Sequence, residues 1–213
     1  MENKINESVL GECRDLLAQQ MGMSVLHTLE DAEKTLYQLA TKEKSHGKAR
    51  TYYDAIRGIR IKKREIRIRF EKRFASIFDY AVNNLFNENS NVTLSKIGHK
   101  SFVKYCNDDD ARRLEDSVRK IRERSSCIMN SLEKKLNSLL NNVYLNEYNT
   151  PLKPETVYEA FWESCRDIRM ENKYRKFLLG IFEKYAIFYL TSSYEELDHY
   201  LDNRIKGTDC LVH

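Results

Sequence analysis

Residues 57–73 read RGIRIKKREIRIRFEKR, and the fold turns on whether they form a strand or a helix. Ile59-Arg60-Ile61 and Ile66-Arg67-Ile68-Arg69-Phe70 alternate apolar and basic side chains, as a half-buried strand would. The same residues also sit inside a longer stripe: Tyr52, Ile56, Ile59, Ile66, Phe70, Phe74, Ile77, Phe78, Ala81 and Leu85. Helical spacing, in steps of three and four with one two-turn step of seven from Ile59 to Ile66, continues to Leu85 and predicts a helix over about 49–86. Such a helix would extend roughly 57 Å, longer than a small domain is wide. Gly58 is the place where it could bend or split.

Outward from this helix, the same periodicity recurs almost everywhere and predicts an all-α chain. A first helix is read over about Ile5–Gln20, with Gly22 weakening the join to a second over about Ser24–Glu43. That second helix puts Leu26, Leu29, Leu36 and Leu39 on one side, before Ser45-His46-Gly47 breaks the pattern. Asn87–Asn107 is a long connection carrying Val92, Leu94, Ile97, Phe102 and Val103, which argue that it packs. Asn107 to Asp110 supply capping oxygens and negative charge for a fourth helix running to about Leu145. Its stripe of Leu114, Val118, Ile121, Ser125, Ile128, Leu132, Leu136, Leu139 and Val143 is heptad-like and long enough to pair with the helix at 49–86. Thr150-Pro151-Leu152-Lys153-Pro154 closes this half, with Pro154 placed to begin a helix. Three shorter helices follow, at about 154–168, 171–189 and 193–206. Ser192 or Ser193 is read as a cap for the last, paired with Glu195 or Glu196, and Gly207 as its stop.

The expected architecture is an elongated helical bundle built on two long antiparallel helices, with a C-terminal three-helix cap. The expected division is 1–147 for the long-helix part and 148–213 for the cap, with a single continuous domain as the alternative. Two prolines and seven glycines in 213 residues, with 32% charged side chains, suit long helices and leave little turn chemistry for a sheet. The best apolar run, Phe177–Leu190, is interrupted by Gly180, Glu183 and Lys184, so no transmembrane segment is expected. With no signal-peptide layout at the N-terminus, the expectation is a cytoplasmic protein. The five cysteines, Cys13, Cys106, Cys127, Cys165 and Cys210, lack ligand spacing and are read as reduced, mostly buried small hydrophobes.

Three short stretches carry a resemblance. The first is Asp54–Arg60 followed by Glu65-Ile66-Arg67-Ile68-Arg69-Phe70, entered from Leu36-Tyr37-Gln38-Leu39-Ala40. Thr150-Pro151-Leu152-Lys153-Pro154-Glu155, with Tyr158-Glu159-Ala160-Phe161, is the second. The third is Leu178 to Tyr185, then Tyr194-Glu195-Glu196-Leu197-Asp198. In this order they resemble the bacterial family of domain of unknown function number sixteen-thirty-one, whose members are often mislabelled thymidine phosphorylase. The resemblance spans about residues 24–206 and suggests a central portion of longer proteins. It implies an α-helical bacterial protein, and it brings no catalytic residues to transfer. Some relatives carry a cyclic-di-GMP-binding barrel. Arg60–Arg64 and Arg69–Arg73 fit RxxxR, but Thr93 stands where that barrel's signature needs Asp or Asn, so cyclic-di-GMP is not an expected ligand.

Charge is the remaining anomaly. Lys44–Arg73 holds twelve basic and three acidic side chains, a balance of +9, whereas the whole chain carries +4 and the remainder therefore −5. Such a field faces an anionic partner or an acidic surface of the same protein, such as Glu115-Asp116. Ile61 and Ile68 lie nearly opposite the Ile66/Phe70 stripe, which gives the helix a second apolar side and favours protein contact. The expected partner-binding residues are Arg60, Ile61, Arg64, Arg67, Ile68 and Phe70, facing a protein partner or another copy of the chain. Nucleic-acid binding through 57–73 is the alternative, since phosphate contacts need only such charge.

No catalytic, cofactor-binding or metal-binding residues are assigned. The histidines at 27, 46, 99, 199 and 213 lack ligand spacing, and His199 reads as a helix-surface residue. The carboxylates 108–110 read as a helix cap. No glycine-rich phosphate loop or nucleophile elbow is present. The expectation is a non-catalytic interaction or regulatory module.

Overall fold

The computed structural model describes residues 2–86, 108–139, 145–146, 149–166 and 172–209. Within them the chain is helical: α1 (Glu2–Lys42), α2 (His46–Phe86), α3 (Asp108–Leu139), α4 (Pro154–Ser164) and α5 (Asn172–Asp209). Residues 57–73 lie inside α2, so the strand reading falls away. The all-α bundle of long helices stands.

The periodicity that predicted α2 is the one it buries. Ile59, Ile66, Phe70, Phe74 and Phe78 are almost wholly removed from solvent, and the rings of Phe70, Phe74 and Phe78 follow one another at about 6 Å. The long partner of α2 is α1, where the sequence suggested 108–145; α3 packs instead on α5. Contacts along the α1/α2 seam fix the direction, from Arg60–Glu33 and Lys63–Glu30, through Glu71 against Gly22, to Arg14–Asp79. Residue numbers fall on α1 as they rise on α2, so the pair is antiparallel, as its three-residue connection requires. Across α1, the contacts of His27 with Tyr189 and of Gln20 with Ser193 lay α5 antiparallel to it.

Two expected breaks are absent, and Gly58 does not split its helix. α1 runs straight through Gly22, α2 through Gly58 and α5 through Ser192-Ser193. A helical glycine costs about 1 kcal/mol against alanine, while each fully buried Leu or Met contributes about 1.5–3 kcal/mol. Leu10, Cys13, Leu17, Met21, Val25, Leu29, Ala32 and Leu36 form an unbroken buried row in α1, so burial outweighs the glycine. In α5 the row is Leu178, Phe182, Ala186, Leu190, Tyr194, Leu197 and Leu201. Ser193 does not cap: its Oγ lies 2.6 Å from the Tyr189 carbonyl one turn back and also meets the Gln20 side-chain amide. The expected three-helix cap is therefore two helices, and α5 ends at Asp209, two residues past Gly207.

The short α4 is a wedge. Pro154 occupies its first turn after an extended Lys153, as read from sequence. Val157, Tyr158, Ala160 and Phe161 are buried. Phe161 stacks on Phe182 of α5 with ring centroids 3.9 Å apart, and Tyr158 meets the same ring edge-on at 5.5 Å. Arg122 of α3 donates to Glu155 at 2.8 Å, and Tyr194 donates to the Leu152 carbonyl at 2.7 Å. The approach to α4 is held by Asn137, whose amide exchanges two hydrogen bonds with the backbone of Leu145, at 2.6 and 3.0 Å. Leu145 thus lies outside α3, beyond Leu139, rather than at the end of the helix. One buried cluster holds residues of all five helices, from Val9 to Leu201.

The connection 87–107, the side chains of Asp108–Asp110 and Leu114, and Val143, Cys106, Cys210, His99 and His213 lie outside the described residues. Cys13 and Cys165 are buried, and burial pushes both thiols up to about 12, so they act as small hydrophobes. Cys127 is exposed.

Candidate interaction surface

α2 presents its nine basic residues of 57–73 in two populations. Arg60 donates to Glu33 at 3.0 Å and Lys63 to Glu30 at 2.7 Å, both across the seam to α1. Within α2, Arg67 donates to Glu71 at 2.7 Å, while Lys62 and Arg69 share Glu65. Arg73 lies 3.9 Å from the nearly buried Glu159 of α4. The acidic surface facing these cations is therefore Glu30 and Glu33 of α1 with Glu159 of α4. Of the expected 115–116 pair, Asp116 is engaged by Arg119 of its own helix at 2.7 Å. The hydrogen bond from Lys63 holds the Glu30 carboxyl below its usual range.

The remaining cations, Arg57, Arg64 and Lys72, are exposed and form no ion pair among the described residues. They share one helical stripe with Ile61 and Ile68, at successive spacings of four, three, four and four. That stripe points away from the Ile66/Phe70 side. Ile61 is 71% exposed and Ile68 39%. Asp54 stands exposed at the start of the stripe, and Glu65 on its flank is held by Lys62 and Arg69.

The structure thus divides the six residues singled out from sequence. Ile61, Arg64 and Ile68 come together on the outward stripe. Arg60 and Arg67 flank it with their charges engaged, and Phe70 is wholly buried in the core, where no partner reaches it. Arg57 and Lys72 were missed as stripe members. Their spacing from Ile61 and Ile68 was legible, but their freedom from ion pairs depends on where α1 lies.

Two shallow clefts adjoin the stripe. One, of about 360 Å³, lies between α2 and the end of α4 and is lined by Arg69, Lys72, Arg73, Ser76, Glu163 and Ser164. Its cations face Glu163 and the carbonyl end of α4, which complements them. The other, of about 340 Å³, lies over the α1/α2 seam beside Glu30, Glu33, Lys34, Tyr37 and Arg60. His199 is exposed on α5, as expected, whereas His27 is tied through Nδ1 to the Tyr189 hydroxyl at 2.6 Å. Among the described residues no group of three or more His, Cys, Asp or Glu side chains is placed to hold a metal ion. No described helix is long and apolar enough to cross a membrane.

An all-helical domain with a cationic, apolar-studded outer helix defines a class of fold rather than an activity. Its family is nonetheless shown: the model for "Protein of unknown function (DUF1631) N-terminal domain" matches residues 6–204, so the chain belongs to that family. The matched portion is the family's N-terminal domain, where the sequence motifs suggested a central one. No curated protein and no solved structure matches the chain.

Proposed function

We propose that this domain is a non-catalytic helical interaction module whose binding face is the outward stripe of α2. The observation that supports the reading is the exposure of Ile61 and Ile68, two turns apart, on a helix whose opposite side is already packed. Covering either side chain would contribute about 1.5–3 kcal/mol at full burial. The non-catalytic part of the reading rests on the absence of nucleophile, metal-ligand and phosphate-loop motifs from the sequence.

Nucleic-acid binding is the rival reading. Six of the nine cations already meet carboxylates of this chain, which leaves Arg57, Arg64 and Lys72 for phosphates. Three phosphate contacts would give a roughly forty-fold loss of affinity between about 50 and 200 mM salt. Comparing wild type with Ile68→Asp and Arg64→Glu separates the two. A protein contact survives that salt range and is lost on Ile68→Asp, with helicity and melting temperature unchanged. Retention on DNA or heparin that collapses over the same range, is indifferent to Ile68→Asp and is abolished by Arg64→Glu would overturn the reading.

A further inference from the structure

Resting on that reading of the α2 stripe, we infer that its partner is an acidic amphipathic helix from another protein, and not a second copy of this chain. The shape of the surface comes first. Arg57, Ile61, Arg64, Ile68 and Lys72 form a narrow ridge about four turns long, roughly 22 Å from end to end. The backbone of α2 is bonded within the helix, so it offers no edge to an extended strand. A ridge with side chains at spacings of three and four is met by the matching spacing on a facing helix.

Charge then selects which helix. The three cations that alternate with the two isoleucines are the ones without carboxylate partners among the described residues. A partner with apolar residues against Ile61 and Ile68 and carboxylates beside them would supply those partners and cover the apolar area together. A second copy docked by the same stripe would set cation against cation. In an antiparallel two-fold contact Arg64 faces its own symmetry mate, and Arg57 faces Lys72. Of the acidic groups at hand, Glu65 is already shared by Lys62 and Arg69, and Asp54 stands only at one end of the ridge. Like charges directly opposed across an interface disfavour that pairing.

The test uses the full chain and a displayed library of helical peptides. Each peptide carries leucine at heptad positions a and d, with positions e and g free to be Glu or Lys, and sorting is done near 0.15 M ionic strength. The expected outcome is enrichment of Glu at the free positions. The best binder should weaken at least about tenfold on Ile68→Asp and on Arg64→Glu, the loss expected for one buried anchor or one charge contact. Joint reversal of Arg57, Arg64 and Lys72 to Glu should turn the preference to Lys. Enrichment of Lys, absence of any charge preference, or Glu-rich binders that hold equally to the Ile61→Asp/Ile68→Asp variant would each overturn the inference. Suppose instead that no peptide is enriched, while sedimentation shows dimers that Ile68→Asp dissociates. The stripe then stands as the binding face, and only the acidic partner falls. If no peptide is enriched and Ile68→Asp changes no association at all, both fall. Thermal melts of each variant confirm that the fold is retained.

Discussion

The two sides of α2 are made of the same kinds of residue and do opposite things. Inward, Ile59, Ile66, Phe70, Phe74 and Phe78 close against α1 and α4, and the adjoining Arg60, Lys63 and Arg73 meet carboxylates of those same helices. Outward, Ile61 and Ile68 are left in solvent between Arg57, Arg64 and Lys72. An isoleucine beside an arginine therefore carries no fixed meaning along this helix. What it contributes depends on whether a neighbouring helix covers that side.

The largest effect should come from setting one side against the other. Phe74 is wholly buried between Phe70 and Phe78, so Phe74→Ala is expected to cost about 3–5 kcal/mol in urea unfolding. Ile68→Asp on the outward side should change stability by no more than about 0.5 kcal/mol. Similar costs for the two substitutions would erase the distinction between the faces.

A smaller effect tests whether the α4 wedge belongs with the inward side. The Tyr194 hydroxyl donates to the Leu152 carbonyl, and both residues are buried. Tyr194→Phe leaves that carbonyl unsatisfied, at an expected cost of about 1–3 kcal/mol. A neutral outcome would mean that the segment leading into α4 is not fixed by this bond.

The smallest effect lies at the seam between the two faces. Lys63 and Glu30 form a partly exposed pair, so Lys63→Met should cost less than about 1 kcal/mol at neutral pH. The folded Glu30 carboxyl sits below its usual range because of the bond from Lys63. Its contribution is therefore fully present above the unfolded value near 4.3, and it is lost as pH falls through the folded value. The difference between wild type and Lys63→Met should fade below about pH 4, with Glu30 titrating normally in the variant by NMR. A difference that persists unchanged into strong acid would show that Lys63 acts through packing of its stem.

Much of this was written locally. The stripe from Tyr52 to Leu85 specified a helix over the strand-like alternation at 59–70, because an alternation of a few residues is short and the helical spacing continues for about nine turns. A break near Ser45 and one before Pro154 were equally local, since turn residues and proline act on their own backbone, although the expected breakers His46 and Gly47 lie inside α2. Ile61 and Ile68 could be placed opposite the core stripe from spacing alone.

Tertiary structure decided the rest. Gly22, Gly58 and Ser192-Ser193 looked like interruptions, but a penalty of about 1 kcal/mol at one position is overridden by a buried row running past it on both sides. The choice of α1 over α3 as the long partner of α2 left no mark in periodicity, because both helices carry the same apolar spacing. Which cations stay free was also invisible along the chain. Glu30 and Glu33 lie about thirty residues from the lysine and arginine they engage, and only the antiparallel register of α1 on α2 brings them within hydrogen-bond reach. A helix is specified by interactions a turn apart, whereas the charge left on its outer face depends on which other helix the fold lays beside it.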